Sequence, residues 1–358
     1  MFRKARVGLY LRLVRSFLRR HSTSFTDVLR SAERILIRPP SGPGELLFSL
    51  PALSAIRRSY PHSEVSLLVP ESRMELVTAA GLADRVIAYS EPVVPFTANF
   101  KNLKRGLRRV SFDLYLDLNR PEDEDRRLLA SLGGARVRMG NTEGEDFPYL
   151  NWEIKSSAHS RDEVRRSLSM LSWIQEPREG ERSRGEYSVS VSDRLWLDDF
   201  LLSHSALHDE KRVIVDLSLP KADRGWSADG LADVLRGLEQ LCSPRLFVVQ
   251  PPETESREVL FDLSRHVTRQ VILVDEPILR TASLMERSDL ILSSKSDLFS
   301  LAYALRLPSV LLVPEHEMFF PPVAEWVRIF RIGKSGKLPS GEIVGAAAAL
   351  MEKKTGEP

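Results

Sequence analysis

Short apolar runs alternate twice along this chain with longer amphipathic stretches, and a strand and helix alternation of that kind implies parallel sheets covered by helices. In the first half the strand-like runs are Ile35–Ile37, Val65–Val69, Val86–Ala88, Leu114–Leu118 and Arg136–Met139. Helical stretches at Leu46–Ser59, Glu71–Ala79, Phe100–Val110 and Arg126–Leu132 lie between them. The second half restarts with strands at Val213–Leu217, Leu246–Gln250, Val271–Val274, Leu290–Ser293 and Ser309–Val313. Its helices are expected at Ala228–Leu241, Arg257–His266, Ile278–Arg287 and Leu298–Leu305. The pattern predicts an α/β protein of two Rossmann-like domains, over 34–177 and 212–335. A linker region over 178–211 is expected between them, because Glu176 to Glu186 is rich in charge and poor in apolar residues. A tail over 336–358 carries an alanine-rich helix, Gly345 to Met351, able to pack on either domain.

The length of 358 residues agrees with two cores, since single cores stop growing near about 250–300 residues. Hydrophobic residues at 42% and charged residues at 28% describe a water-exposed globular chain, and no apolar run approaches the roughly 20 residues needed to span a bilayer. A single cysteine, Cys242, rules out an internal disulfide and a cysteine-cluster metal site, which fits a reducing compartment and a cytoplasmic location. A formal charge of +2 argues against an overall nucleic-acid footprint.

Positive charge is concentrated in an arm over 1–33. Met1 to Arg20 carries Arg3, Lys4, Arg6, Arg12, Arg15, Arg19 and Arg20 without an acidic residue, interleaved with Phe2, Val7, Leu9, Tyr10, Leu11, Leu13, Val14, Phe17 and Leu18. This is a basic amphipathic helix, too interrupted by arginine for a secretory signal. Two uses of its apolar face are open: residues 1–20 lie on an anionic membrane surface, or the face packs on the protein's own body.

Ser41-Gly42-Pro43-Gly44-Glu45 joins the first strand to the first helix and puts a carboxylate at a strand's carboxyl edge, where open α/β sheets bind ligands. Glu45 is the first catalytic candidate. The same residues also suit an ordinary connection in which the glycines make the turn and the glutamate complements the helix dipole.

The segment Gly44-Glu45 with Leu50-Pro51-Ala52-Leu53, then Arg57 to Pro61 and Glu64 to Val69, resembles the opening of glycosyltransferase family nine, the ADP-heptose:lipopolysaccharide heptosyltransferases. Phe112 to Leu118, Leu132 to Gly140, Lys221 to Trp226 and Leu279 through Pro308 are similar to later landmarks of that family, so the likeness runs over roughly residues 34 to 325. It implies a GT-B fold, two Rossmann-like domains whose sheets face across a cleft. It also implies inverting transfer of a heptose or related sugar from a nucleotide-sugar donor to a lipopolysaccharide core or comparable lipid-linked glycan; with it, a membrane-bound basic arm would hold a cytoplasmic protein against the inner face of a bacterial inner membrane. No metal or other cofactor is implied.

By the same resemblance Glu45 stands where the family has its aspartate general base, with Ser41, Gly42 and Gly44 as the acceptor-side loop. One extra methylene moves the carboxylate by about 1.5 Å, and displacements of that size can cost about 100-fold. Arg224, two residues before Trp226, stands where the family has a donor-binding lysine, and arginine keeps the charge and can grip phosphate bidentately. An exposed cation ahead of a core tryptophan is the other reading. Glu253 or Glu255 would contact the donor ribose, or form an exposed acidic loop. After Leu290–Ser293 the family's aspartate, glycine, proline and histidine are replaced by Lys295, Asp297, Leu298 and Ser300. Lys295 and Ser296 remain donor-binding candidates, whereas the Asp297 carboxylate would repel a diphosphate. Two functions follow: a divergent transferase, or a catalytically silent GT-B scaffold that binds a glycan or partner and has lost its donor site. The seven histidines show no zinc-like spacing, and neither a Walker loop nor a dinucleotide fingerprint is present.

Overall fold

The structure, a computed structural model, describes residues 2–355 apart from 19–24, 121–124, 143, 145, 156–163, 165–166, 169, 175–186, 206–209, 220–225, 250–264, 266, 268–270 and 317–323. It divides into two compact units, Met1–Glu186 and Tyr187–Pro358.

Among the described residues the first unit holds six strands: β1 (Arg34–Arg38), β2 (Glu64–Pro70), β3 (Arg85–Tyr89), β4 (Leu114–Asp117), β5 (Val137–Thr142) and β6 (Trp152–Lys155). They form one parallel sheet in the order β3-β2-β1-β4-β5-β6. Ile35, Leu36 and Ile37 are all buried, as expected for a central strand covered on both faces. In the order of the chain, the described residues of this unit include the helices α1 (Phe2–Leu18), α2 (Phe25–Ser31), α3 (Pro43–Phe48), α4 (Leu50–Ser59), α5 (Met74–Ala80), α6 (Ala98–Val110) and α7 (Arg126–Ala130). The single helix expected over Leu46–Ser59 is two. Pro51 has no N–H to donate to the carbonyl one turn back, so the ladder breaks at Ser49, whose Oγ bonds to the Leu46 carbonyl at 2.7 Å.

Helix α1 packs on the first unit. Tyr10 is buried against Phe100 with ring centroids 4.9 Å apart, Val7, Leu11 and Val14 lie on the same core, and the Tyr149 hydroxyl donates to the Leu11 carbonyl at 3.0 Å. Arg3 pairs with Asp125.

The second unit repeats the plan. Its strands are β7 (Arg212–Asp216), β8 (Arg245–Val249), β9 (Val271–Val274), β10 (Leu290–Ser293), β11 (Ser309–Pro314) and β12 (Val327–Ile332). The parallel order is β12-β11-β10-β7-β8-β9. Numbered within the unit, this is the same order as the first sheet. The helices are α8 (Val191–Ser203), α9 (Ala228–Cys242), α10 (Ile278–Glu286), α11 (Asp297–Ala304) and α12 (Ser340–Thr355).

Helix α8 occupies much of the stretch read as a linker. Ser190 caps it by accepting the Asp193 N–H, and Arg194 grips Glu286 of α10 through two bonds of 2.7 and 2.6 Å. The terminal helix α12 is longer than its alanine run and packs on α9, where a Cβ at Gly237 would come within 2.6 Å of Val344. The helix expected at Arg257–His266 lies almost wholly outside the described residues.

Candidate functional site

Each sheet reverses its strand order once, between β1 and β4 in the first unit and between β7 and β10 in the second. Connections leave in opposite directions at such a switch point and open a crevice at the carboxyl edge, where ligands bind. Both switch points here end in buried polar networks.

In the first unit Arg38 and Asp117 are register partners at the ends of β1 and β4, and their side chains pair at 3.4 Å with almost no exposure. The Tyr115 hydroxyl also donates to Asp117, at 3.0 Å, and burial together with that carboxylate pushes its pKa well above the usual tyrosine range. Asn119 follows. Its backbone N–H donates to Asp117 at 3.1 Å, its side-chain nitrogen donates to the Pro39 carbonyl at 2.7 Å, and its oxygen accepts the Ser41 backbone N–H at 3.1 Å. The Ser41 hydroxyl donates to the same oxygen at 3.3 Å, and Arg73 donates to the Ser41 carbonyl at 3.2 Å. The loop is thus tied down from β1, β4 and the segment before α5.

Glu45 lies in the first turn of α3, and its Oε1 accepts from Arg120 Nε at 2.9 Å. The carboxylate is one-third exposed (34%), so it is reachable from solvent while held by a cation. Gly42 is extended at φ −68°, and an added Cβ would meet only ordinary contacts from Glu45 at 3.6 Å. Neither Gly42 nor Gly44 has a positive φ, so this loop does not use the left-handed conformation that only glycine adopts cheaply.

In the second unit the buried Asp216 carboxylate ends β7 and accepts the Ser293 hydroxyl from β10 at 2.6 Å, the Ser296 hydroxyl, and the Ser218 backbone N–H at 2.9 Å. Ser296 is also the cap of α11, accepting the Phe299 N–H at 3.1 Å. Its hydroxyl is engaged on both sides. Replacing Ser296 by Ala is expected to destabilise the second unit by about 2 kcal/mol, from a lost cap of about 1 kcal/mol and a lost donor to a buried carboxylate. Urea unfolding measures this, and Ser296→Asn, which keeps a capping oxygen, should recover part of it.

Lys295 and Asp297 are exposed on either side of Ser296. Trp226 is buried in the second core and donates to Ser294 Oγ at 2.9 Å, which fixes the β10 loop from the side of α9. Arg224, Glu253 and Glu255 lie outside the described residues. Among the described residues no group of three or more His, Cys, Asp or Glu side chains gathers as a metal site, and no helix is long and apolar enough to cross a membrane.

The site residues of the first unit that sequence reading passed over are Asp117, Asn119 and Arg120; in the second it is the role of Asp216. The signal for two of them was present, since an acidic residue ends an otherwise apolar run in both Leu114–Asp117 and Arg212–Asp216.

No family model and no curated protein matches the chain. Solved structures do. A glycosyltransferase family 9 protein from Veillonella parvula superposes with a TM-score of 0.78 at 15% identity, over 90% of this chain and 97% of that one. The E. coli ADP-heptose lipopolysaccharide heptosyltransferase II gives 0.70 at 15% identity, over 90% and 99%. The E. coli heptosyltransferase WaaC with ADP-2-deoxy-2-fluoro heptose gives 0.63 at 17% identity, again over 90% and 99%. Two parallel sheets of one strand order, each with a polar switch point, are thus found in a chain that has the GT-B fold of the family nine glycosyltransferases and heptosyltransferases.

Proposed function

We propose that the protein is a divergent glycosyltransferase that moves a sugar from a nucleotide-sugar donor of the ADP-heptose type to a lipopolysaccharide-core or related envelope glycan. The observation that carries this reading is Glu45: a partly exposed carboxylate at the switch point of the first sheet, held by Arg120 on a loop anchored to the buried Arg38, Asp117 and Asn119. The acceptor is bound by the first unit and the donor by the second. Glu45 takes the proton of the acceptor hydroxyl, the freed oxygen bonds to the anomeric carbon, and the bond from that carbon to the diphosphate breaks with its electron pair leaving on the diphosphate. Attack opposite the leaving group inverts the anomeric centre. In this reading Arg224, Lys295 and the first amides of α11 offset the charge of the departing diphosphate without a metal ion. Glu253 or Glu255 holds the ribose.

One observation favours a second reading, a scaffold that has lost its donor. The Ser296 hydroxyl is committed to Asp216 and to its own helix, and Asp297 sets a carboxylate at the start of that helix. The two readings part in a transfer assay with labelled donor and a lipid-linked core acceptor. Labelled product from ADP-heptose, with little from UDP-sugars, is the expected result. No product from any donor, with the acceptor still bound, would establish the scaffold reading instead.

A further inference from the structure

Helix α1 has a core-facing apolar side and a second apolar side that is largely exposed. Tyr10, Val7, Leu11 and Val14 face the core. Phe2, Leu9, Leu13 and Phe17 run along another side and are 88%, 53%, 55% and 67% exposed. Their spacing of seven, four and four residues places them in one stripe of a helix. Arg6, Arg12 and Arg15 are exposed beside it.

Beneath this stripe lies a cleft of about 930 Å³, walled on one side by Leu13, Val14, Phe17 and Leu18 and on the other by Phe96 and Phe112. Arg34, Lys104, Arg108 and Arg136 also line it, against one carboxylate, Asp113. That carboxylate already accepts the backbone N–H groups of Glu33 and Arg34 at 3.1 Å each. Lys104 sits over the Tyr10 ring at 5.1 Å, and burial and the nearby Arg108 cation lower its pKa. The cleft therefore joins apolar walls to an excess of cations. It opens at the amino-terminal ends of β1, β4 and β5, beside Arg34, Asp113 and Arg136, whereas Glu45 stands at the carboxyl edge of the same sheet.

We propose that α1 and this cleft form a docking site for anionic bilayer lipid. The stripe of Phe2, Leu9, Leu13 and Phe17 enters the headgroup and acyl boundary, an acyl chain enters between α1 and Phe96 and Phe112, and Lys104 and Arg108 hold the lipid phosphate. Charge complementarity selects the occupant: a segment with seven cations and no carboxylate in its first twenty residues, over a cation-lined apolar cleft, matches an anionic leaflet. This site lies at the opposite sheet edge from Glu45, so it serves attachment to the membrane and stands independently of the transfer proposed above.

The test is flotation of the full chain with phosphatidylcholine vesicles, with and without phosphatidylglycerol, read beside photo-crosslinking from a diazirine-bearing phosphatidylglycerol. Binding is expected only with the anionic lipid, with crosslinks on Leu13 to Leu18, Phe96 or 131–136. Lys104→Gln with Arg108→Gln should weaken partition at least about tenfold, each lost cation near the surface contributing a factor of about five. Lys334→Gln with Lys337→Gln, an equal charge change on the second unit, should change it less than about twofold, in line with short-range screening. Circular dichroism melting confirms that both variants fold. Equal binding to neutral vesicles, equal loss in both charge variants, or crosslinks confined to other segments would overturn the proposal.

Discussion

Glu45→Gln is expected to lower the rate constant for sugar transfer by about 10³-fold, within the range of about 10²–10⁴ that a positioned general base contributes, while leaving the KM for donor unchanged. Glutamine keeps the size of the side chain and an oxygen to accept from Arg120, so the loop should hold its place. What it loses is the ability to take a proton. Stability should shift little, because an exposed ion pair of this kind contributes at most about 1 kcal/mol. Glu45→Asp withdraws the carboxylate by one methylene and should retain activity within about 100-fold of the wild type. Steady-state kinetics with a lipid-linked acceptor distinguish these outcomes. A Glu45→Gln enzyme within a few-fold of wild type would remove Glu45 from the chemistry.

Phe299→Ala is expected to destabilise the second unit by about 3–5 kcal/mol, the usual cost of emptying a buried aromatic site. Phe299 is fully buried in the first turn of α11, and its backbone N–H is the one capped by Ser296. The loss should lower the melting temperature by about 8–15 °C for a unit of this size. Because the same helix start carries Lys295, Ser296 and Asp297, donor affinity should fall with stability. Calorimetric melting of the variant is the check. An unchanged transition would mean that α11 is not held as described.

The strands legible in the sequence were those buried on both faces, such as Arg34–Arg38 and Arg212–Asp216, where an unbroken apolar run leaves little choice. Of the four edge strands, β3 and β9 keep short apolar runs and were legible, whereas β6 and β12 were missed because polar residues break their runs: Arg328 and Arg331 interrupt Val327–Ile332, and Trp152 and Glu153 are half-buried. Helix α8 was missed because it follows a charged stretch and buries only Leu197 and Leu201. Periodicity carried through Ser49 hid the break between α3 and α4. At the site, Glu45 was legible as a carboxylate at a loop and helix junction. Its pairing with Arg120 was not, since that contact arises only when β1 and β4 lie side by side. Of the two uses open for the basic arm, one face of α1 is taken by the protein's own core. The other face is the one assigned above to lipid.

Whether the second unit holds a nucleotide-sugar donor, as proposed, is decided by titrating ADP-heptose into the full chain in a calorimeter. A saturable heat is expected, lost in Arg224→Ala and kept in Glu45→Gln, because the proposed mechanism puts the first residue on the donor and the second on the acceptor. Absence of heat from ADP-heptose, ADP and UDP-sugars alike would contradict it.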